Sequence, residues 1–92
     1  WALSATLYGA ITFAGGATVE ATFADEPIVT YPEMPVVETT IVESGAELGG
    51  VGEPGVPPLA PAVANAVAAA TGRRPRSLPL LEGEGRLRLS VD

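Results

Sequence analysis

Apolar and polar residues alternate in different rhythms along this chain, and each change of rhythm marks an element. Leu7, Tyr8, Ile11 and Phe13 lie in a β-prone run over Thr6–Phe13, and Val19 and Phe23 lie in another over Thr18–Phe23. Ala14-Gly15-Gly16-Ala17 separates the two. A Gly-Gly between such runs predicts a β-hairpin whose apolar residues pack one sheet face. Ala24-Asp25-Glu26-Pro27 and Tyr31-Pro32-Glu33-Met34-Pro35 then break the pattern, because proline lacks a backbone donor and biases its predecessor away from helix. Val36-Val37-Glu38-Thr39-Thr40-Ile41-Val42-Glu43 reads as the clearest strand, with Val37, Thr39 and Ile41 on one face and Val36, Glu38, Thr40 and Val42 on the other. Apolar residues on both faces predict a strand covered twice, as in a larger assembly.

The rhythm stops at Gly49-Gly50-Val51-Gly52-Glu53-Pro54-Gly55-Val56-Pro57-Pro58, a loop made free by glycine and stiff by proline around one carboxylate. A helical period follows. Alanine fills seven of the positions from Leu59 to Thr71, which favours helix; Pro61 suits a first turn and Gly72 a left-handed cap. Val63, Ala66, Val67 and Ala70 share one face, and alanine on the other predicts burial between neighbours. Asn65 is the only internal side chain there that both donates and accepts, which suits a structural hydrogen bond or a ligand contact. Arg73-Arg74-Pro75-Arg76 places cations beyond the helix C-terminus, where they cap carbonyls or meet an acidic partner. Ser77–Leu81 reads as a short extended piece, residues 82–85 as flexible, and Arg86-Leu87-Arg88-Leu89-Ser90-Val91 as an edge strand. The expected fold class is α+β, in one structural unit: a β-rich segment over 1–48, the loop over 49–58, the helix over 59–72 and a basic tail over 73–92.

Composition makes this unit thin. Among 92 residues, 11 are glycine and 9 proline, while tryptophan, tyrosine and phenylalanine number one, two and two. Such a chain is expected to be poorly folded alone and to be part of something larger. The longest apolar run, Leu59–Ala70, falls short of the roughly 20 residues of a membrane span. No cysteine or histidine is present, which excludes thiolate or imidazole ligation of zinc, haem or iron-sulfur clusters by this chain, and any histidine-activated nucleophile. Carboxylate chemistry is what remains. Residues 1–72 hold eight acids and no base, and all five arginines follow, a distribution that argues against nucleic acid.

Glu53 is the candidate. Residues alone support two readings, a turn with its carboxylate in water or a carboxylate held to few conformations as a general base near a helix N-terminus that welcomes anions. The run Gly50-Val51-Gly52-Glu53-Pro54-Gly55-Val56-Pro57-Pro58-Leu59-Ala60-Pro61-Ala62-Val63-Ala64-Asn65-Ala66-Val67, continuing through Ala70-Thr71-Gly72-Arg73-Arg74 and Arg76-Ser77-Leu78-Pro79-Leu80, resembles the C-terminal portion of the molybdopterin-binding large subunit of the xanthine dehydrogenase and aldehyde oxidase family. The likeness is to its isoquinoline 1-oxidoreductase β-subunit branch. Tyr8-Gly9, Phe23 with Asp25, and Glu33-Met34-Pro35 follow the family more loosely, and Ala24–Thr30 departs from it.

The resemblance implies a fragment of a larger molybdenum-binding fold, inactive alone. Glu53 would be the catalytic base beside the molybdenum cofactor, a molybdopterin in mononucleotide or dinucleotide form, and Val51 and Gly52 would bring backbone close to it. The implied reaction oxidises an aldehyde or N-heterocycle with oxygen from water. Iron-sulfur clusters would sit on a partner subunit, the remainder of the large subunit would complete the pocket, and both bacterial periplasm and cytoplasm stay open as locations. The alternative is a non-catalytic structural or interaction module that completes a partner protein's fold.

Overall fold

The computed structural model describes residues 1–83 and 85–89. Its elements are helix α1 (Ala2–Leu7), strands β1 (Phe13–Ala14) and β2 (Ala17–Thr18), a 3-10 turn at Tyr31–Glu33, helix α2 (Val56–Thr71), and strands β3 (Leu81–Glu82) and β4 (Arg86–Leu87). The fold class is α+β, as the sequence implies.

The first correction falls at the N-terminus, where Thr6–Leu7 closes a helix instead of opening a strand. Ala2, Leu3, Ala5 and Leu7 are good helix formers, Leu3 and Leu7 recur at i, i+4, and the helix packs against α2. The Thr6 hydroxyl donates to the Ala2 carbonyl at 2.9 Å, so a β-branched residue is satisfied inside the helix. Gly9 ends the element by donating to Ser4 and Ala5 carbonyls. A Cβ there would stand 3.0 Å from Ala5 backbone, tighter than side chains ordinarily approach, so the position favours glycine.

The first hairpin exists, but its arms are two residues each, with Phe13 opposite Thr18 and Ala14 opposite Ala17. Gly15 and Gly16 both have positive φ, 59° and 84°, which matches the right-handed strand twist that two-residue turns need. Beyond the arms the Val19 N–H donates to the Thr12 carbonyl, and pairing ends. No core lies under this ribbon: Phe13, Val19 and Phe23 are exposed, and an isolated two-stranded ribbon gains little from lengthening.

The second correction concerns residues 36–43, which form no strand; residues 34–51 have no helix, strand or turn. Two-sided apolar alternation stabilises a strand only where other elements cover both faces, and Val36, Val37, Ile41 and Val42 stay exposed among the described residues. A hairpin forms instead where the sequence suggests a single edge strand. β3 pairs antiparallel with β4, Leu81 opposite Leu87 and Glu82 opposite Arg86. In the stretch expected to be flexible, Glu82 is paired in β3 and Gly83 and Gly85 have positive φ; Glu84, Ser90 and Val91 lie outside the described residues.

Helix α2 begins three residues earlier than expected, at Val56, with Pro57 and Pro58 in its first turn. Pro61 therefore falls in the second turn and has no N–H for the Pro57 carbonyl. Gly72 terminates the helix in the left-handed conformation, φ 73°, its N–H donating to Ala68. No residue of α2 is buried, contrary to the expected burial. Its half-covered side is Val56, Leu59, Ala60, Val63, Ala64, Val67 and Ala68, while Ala66 and Ala70 are exposed. The covered stripe is thus rotated from the one read in the sequence, because an alanine-rich helix carries apolar residues all round and periodicity cannot choose a face.

The core lies where α1, α2 and the tail meet. Thr6, Pro75, Pro79 and Leu80 are buried, and Leu80 is 1% exposed. The Leu80 N–H donates to the Thr6 carbonyl at 2.9 Å, and its own carbonyl accepts from Arg88 at 2.7 Å. Chain ends are thereby joined around one leucine. The radius of gyration is 16.2 Å, against about 12 Å for a compact domain of this length.

Candidate functional site

Glu53 sits on the loop immediately before α2 and is exposed. Its carbonyl accepts from the Val56 N–H at 2.8 Å, which makes residues 53–56 a turn feeding the helix. That bond has an electrostatic consequence. The N-terminal residues of a helix ordinarily offer unpaired N–H groups to anions, but here Pro57 and Pro58 have none and Val56 gives its own to Glu53. The helix end anticipated from sequence therefore offers an anion fewer N–H groups than a proline-free start would. No side-chain hydrogen bond caps it.

Neither backbone angle nor crowding among the described residues requires the loop glycines to be glycine. Positive φ occurs at Gly15, Gly16, Gly45, Gly72, Gly83 and Gly85, and at none of Gly49, Gly50, Gly52 or Gly55. A Cβ at any of these four would meet nothing within 4 Å. Val51 and Leu48 beside them are 93% and 104% exposed. The loop consequently presents bare backbone, one carboxylate and apolar side chains outward. Among the described residues no group of three or more acidic side chains can hold a metal ion.

Three other carboxylates are anchored by threonines. Glu20 accepts from the Thr12 N–H at 2.7 Å and the Thr12 hydroxyl at 2.8 Å. Asp25 accepts from the N–H groups of Ala21 and Thr22 and from the Thr22 hydroxyl. Glu33 accepts from the Tyr8 hydroxyl, and from the Thr30 N–H at 2.8 Å and hydroxyl at 2.7 Å. Hydrogen bonds to the ionised form lower each pKa: backbone and side chain of Thr12 hold Glu20 down, Thr22 does the same for Asp25, and the Tyr8 hydroxyl, followed by Thr30, takes Glu33 to about 2. The same bond raises Tyr8. Sequence reasoning passed over this set, although Thr30-x-x-Glu33 has the spacing of a helix-start signature. These groups fasten the N-terminal segment and are not gathered at Glu53.

On the other side of α2, Arg74 donates to the Asn65 side-chain oxygen, so Asn65 is used in a structural bond. The tail past Gly72 runs back along the helix, and a groove of about 320 Å³ opens between them, lined by Ala64, Asn65, Arg74, Arg76, Ser77 and Leu78 among others. A second, apolar groove of about 570 Å³ lies between α1, residues 29–37 and the start of α2, with Trp1, Leu3, Met34, Val37, Leu59 and Val63 in its walls. Neither groove includes Val51, Gly52 or Glu53. No helix among the described residues is long and apolar enough to cross a membrane.

No family model matches this chain, and no solved structure matches it. Over 78 residues it is 33% identical to the isoquinoline 1-oxidoreductase subunit beta of Brevundimonas diminuta, a match that covers 85% of this chain and 10% of that relative. The chain spans about a tenth of the length of the curated relative. A stretch of 78 residues in a chain of 92 necessarily includes the loop at 49–58.

Proposed function

We propose that this chain is the glutamate-bearing C-terminal portion of the molybdenum-binding large subunit of a hydroxylase of the xanthine dehydrogenase and aldehyde oxidase family. The observation that carries the reading is the similarity to isoquinoline 1-oxidoreductase subunit beta across 85% of the chain. The loop supports it, since four glycines without positive φ or a crowded Cβ direction are accounted for by an outside group that approaches their backbone. Molybdopterin fits that role: Val51 and Gly52 would face it through backbone, and Glu53 would stand beside it. When bound, the cofactor supplies the two-electron oxidation of an aldehyde or N-heterocycle, with water as the oxygen source. Glu53 supplies a base. Its carboxylate is exposed in this chain and ahead of a proline-stiffened helix start, so it can accept a proton without first breaking an internal bond among the described residues. With no cysteine here, electrons would leave through iron-sulfur clusters on a partner subunit. The remainder of the large subunit would close the pocket.

The Glu53→Gln variant tests the assignment in the assembled enzyme. It keeps shape and removes basicity, so turnover is expected to fall by roughly 10² to 10⁴ with molybdenum content unchanged. The loss should appear in single-turnover reduction of the molybdenum centre as well as in steady state. Normal turnover would refute the base; parallel loss of metal and activity would make Glu53 a structural element of the loop. A second reading, a non-catalytic module that completes a partner's fold, draws on the exposed apolar surface and requires no molybdenum to copurify.

A further inference from the structure

No acidic residue lines the groove of about 320 Å³ between α2 and the tail, although the chain carries 11 acids and a net charge of −6. Two guanidiniums do line it. Arg74 and Arg76 flank Pro75, which is buried, so one anchored residue holds both cations along the same groove. Arg74 donates to the Asn65 side-chain oxygen, and because a guanidinium only donates, that bond sets the Asn65 amide with its NH2 left as a further donor. Among the described residues the side chains of Arg76 and Ser77 have no hydrogen-bond or ion-pair partner, whereas Arg88 is paired with Glu82 at 3.5 Å.

Charge and shape choose the ligand. With six net negative charges, the chain as a whole repels anions, so an anion is held only where cations converge. Guanidiniums bind carboxylate or phosphate oxygens through paired N–H groups. Two of them match the double charge of a phosphate monoester, and Ser77 and Asn65 add donors for its remaining oxygens. Ala60, Ala64 and Leu78 line the same groove and give an organic body an apolar wall, and the volume lies at the small end of ligand pockets, roughly 300 to 1,000 Å³. We propose that this groove binds a small phosphomonoester, its phosphate on Arg74, Arg76 and Ser77 and its apolar body against α2. The groove includes none of Val51, Gly52 and Glu53, so the site stands or falls independently of the molybdenum reading.

The test titrates the full chain with phenyl phosphate at constant ionic strength and follows side-chain N–H signals by NMR, with inorganic phosphate, benzoate and chloride as separate arms. Signals of Asn65, Arg74 and Arg76 should shift and saturate while Arg86 stays still. Phenyl phosphate should bind about tenfold or more tighter than inorganic phosphate, because its ring covers apolar wall, and tighter than benzoate, which brings one charge. Arg76→Gln should weaken binding by roughly tenfold or more, Arg76→Lys should lose less because it keeps the charge without the fork, and Arg86→Gln should bind like the parent chain. Arg76 is exposed, so its replacement has no internal bond among the described residues to break. Shifts that never saturate, that move every arginine alike or that chloride reproduces are ion screening only and overturn the site. Equal affinity for inorganic phosphate or for benzoate overturns the phosphomonoester. Self-association that Arg76→Gln abolishes and phenyl phosphate does not reverse makes a second copy's carboxylates the occupant and overturns it too.

Discussion

Glu33 faces solvent, yet its carboxylate is fixed by the fold. Three donors from Tyr8 and Thr30 surround the Glu33 carboxylate and stabilise its ionised form. Its pKa is lowered from 4.5 to about 2, so the bonds stabilise the fold fully above the ordinary value and are lost as pH falls from about 4.5 towards 2. An NMR titration of the Thr30 amide should therefore show a midpoint near pH 2, and Tyr8→Phe should move it upward. A wild-type midpoint at the ordinary carboxylate value would mean that the Tyr8–Glu33 contact does not exist in solution. The Thr30–Glu33 half of this arrangement was legible in sequence spacing. The Tyr8 half was not, because the partners are 25 residues apart and meet only once the chain folds.

At the scale of elements, α2 separates what composition decides from what packing decides. Its existence and its Gly72 stop follow from alanine content and a glycine in the right place. Replacing Gly72 with alanine forces a Cβ into the left-handed region and should cost about 1 kcal/mol, read as loss of helical circular dichroism on heating. Ala66→Leu and Ala70→Leu probe the exposed side. In the isolated chain they should change stability by less than about 0.5 kcal/mol. If a partner covers that side, the same substitutions should cost roughly 1 to 3 kcal/mol in the complex. Equal effects in both settings would show that α2 keeps an open face after assembly. The hairpins teach the complementary lesson. A glycine pair located the first turn but not the second, and strand length depended on neighbours that the described residues do not supply.

For the whole molecule, the decisive fact is how little is buried. Leu80 is the one buried large apolar residue among those described, whereas Trp1, Phe23, Tyr31 and Leu48 are each more than four-fifths exposed. Buried apolar area of that size cannot offset the ordering entropy of so many residues, which amounts to roughly 1 to 2 kcal/mol each for backbone alone. The isolated chain should consequently melt gradually, without a sharp cooperative transition, and should bind a hydrophobic dye. Calorimetry checks this directly: a single sharp endotherm at a temperature usual for stable domains would show that the exposed apolar residues find a core of their own.

The sequence by itself determined the α+β class, the alanine-rich helix with its glycine stop, the Gly15-Gly16 turn, and the acidic front with its basic tail. Each of these is local or compositional, so a few neighbouring residues carry it. Only the tertiary structure decided that residues 2–7 are helical, that α2 starts at Val56 and turns Val63, Ala64, Val67 and Ala68 inward, that the Val56 N–H is given to the Glu53 carbonyl, and that residues 36–43 have no ladder among the described residues. Those outcomes depend on which surfaces are present to pack against. A pattern of apolar residues states what an element can bury, and the rest of the fold decides whether anything is there to bury it.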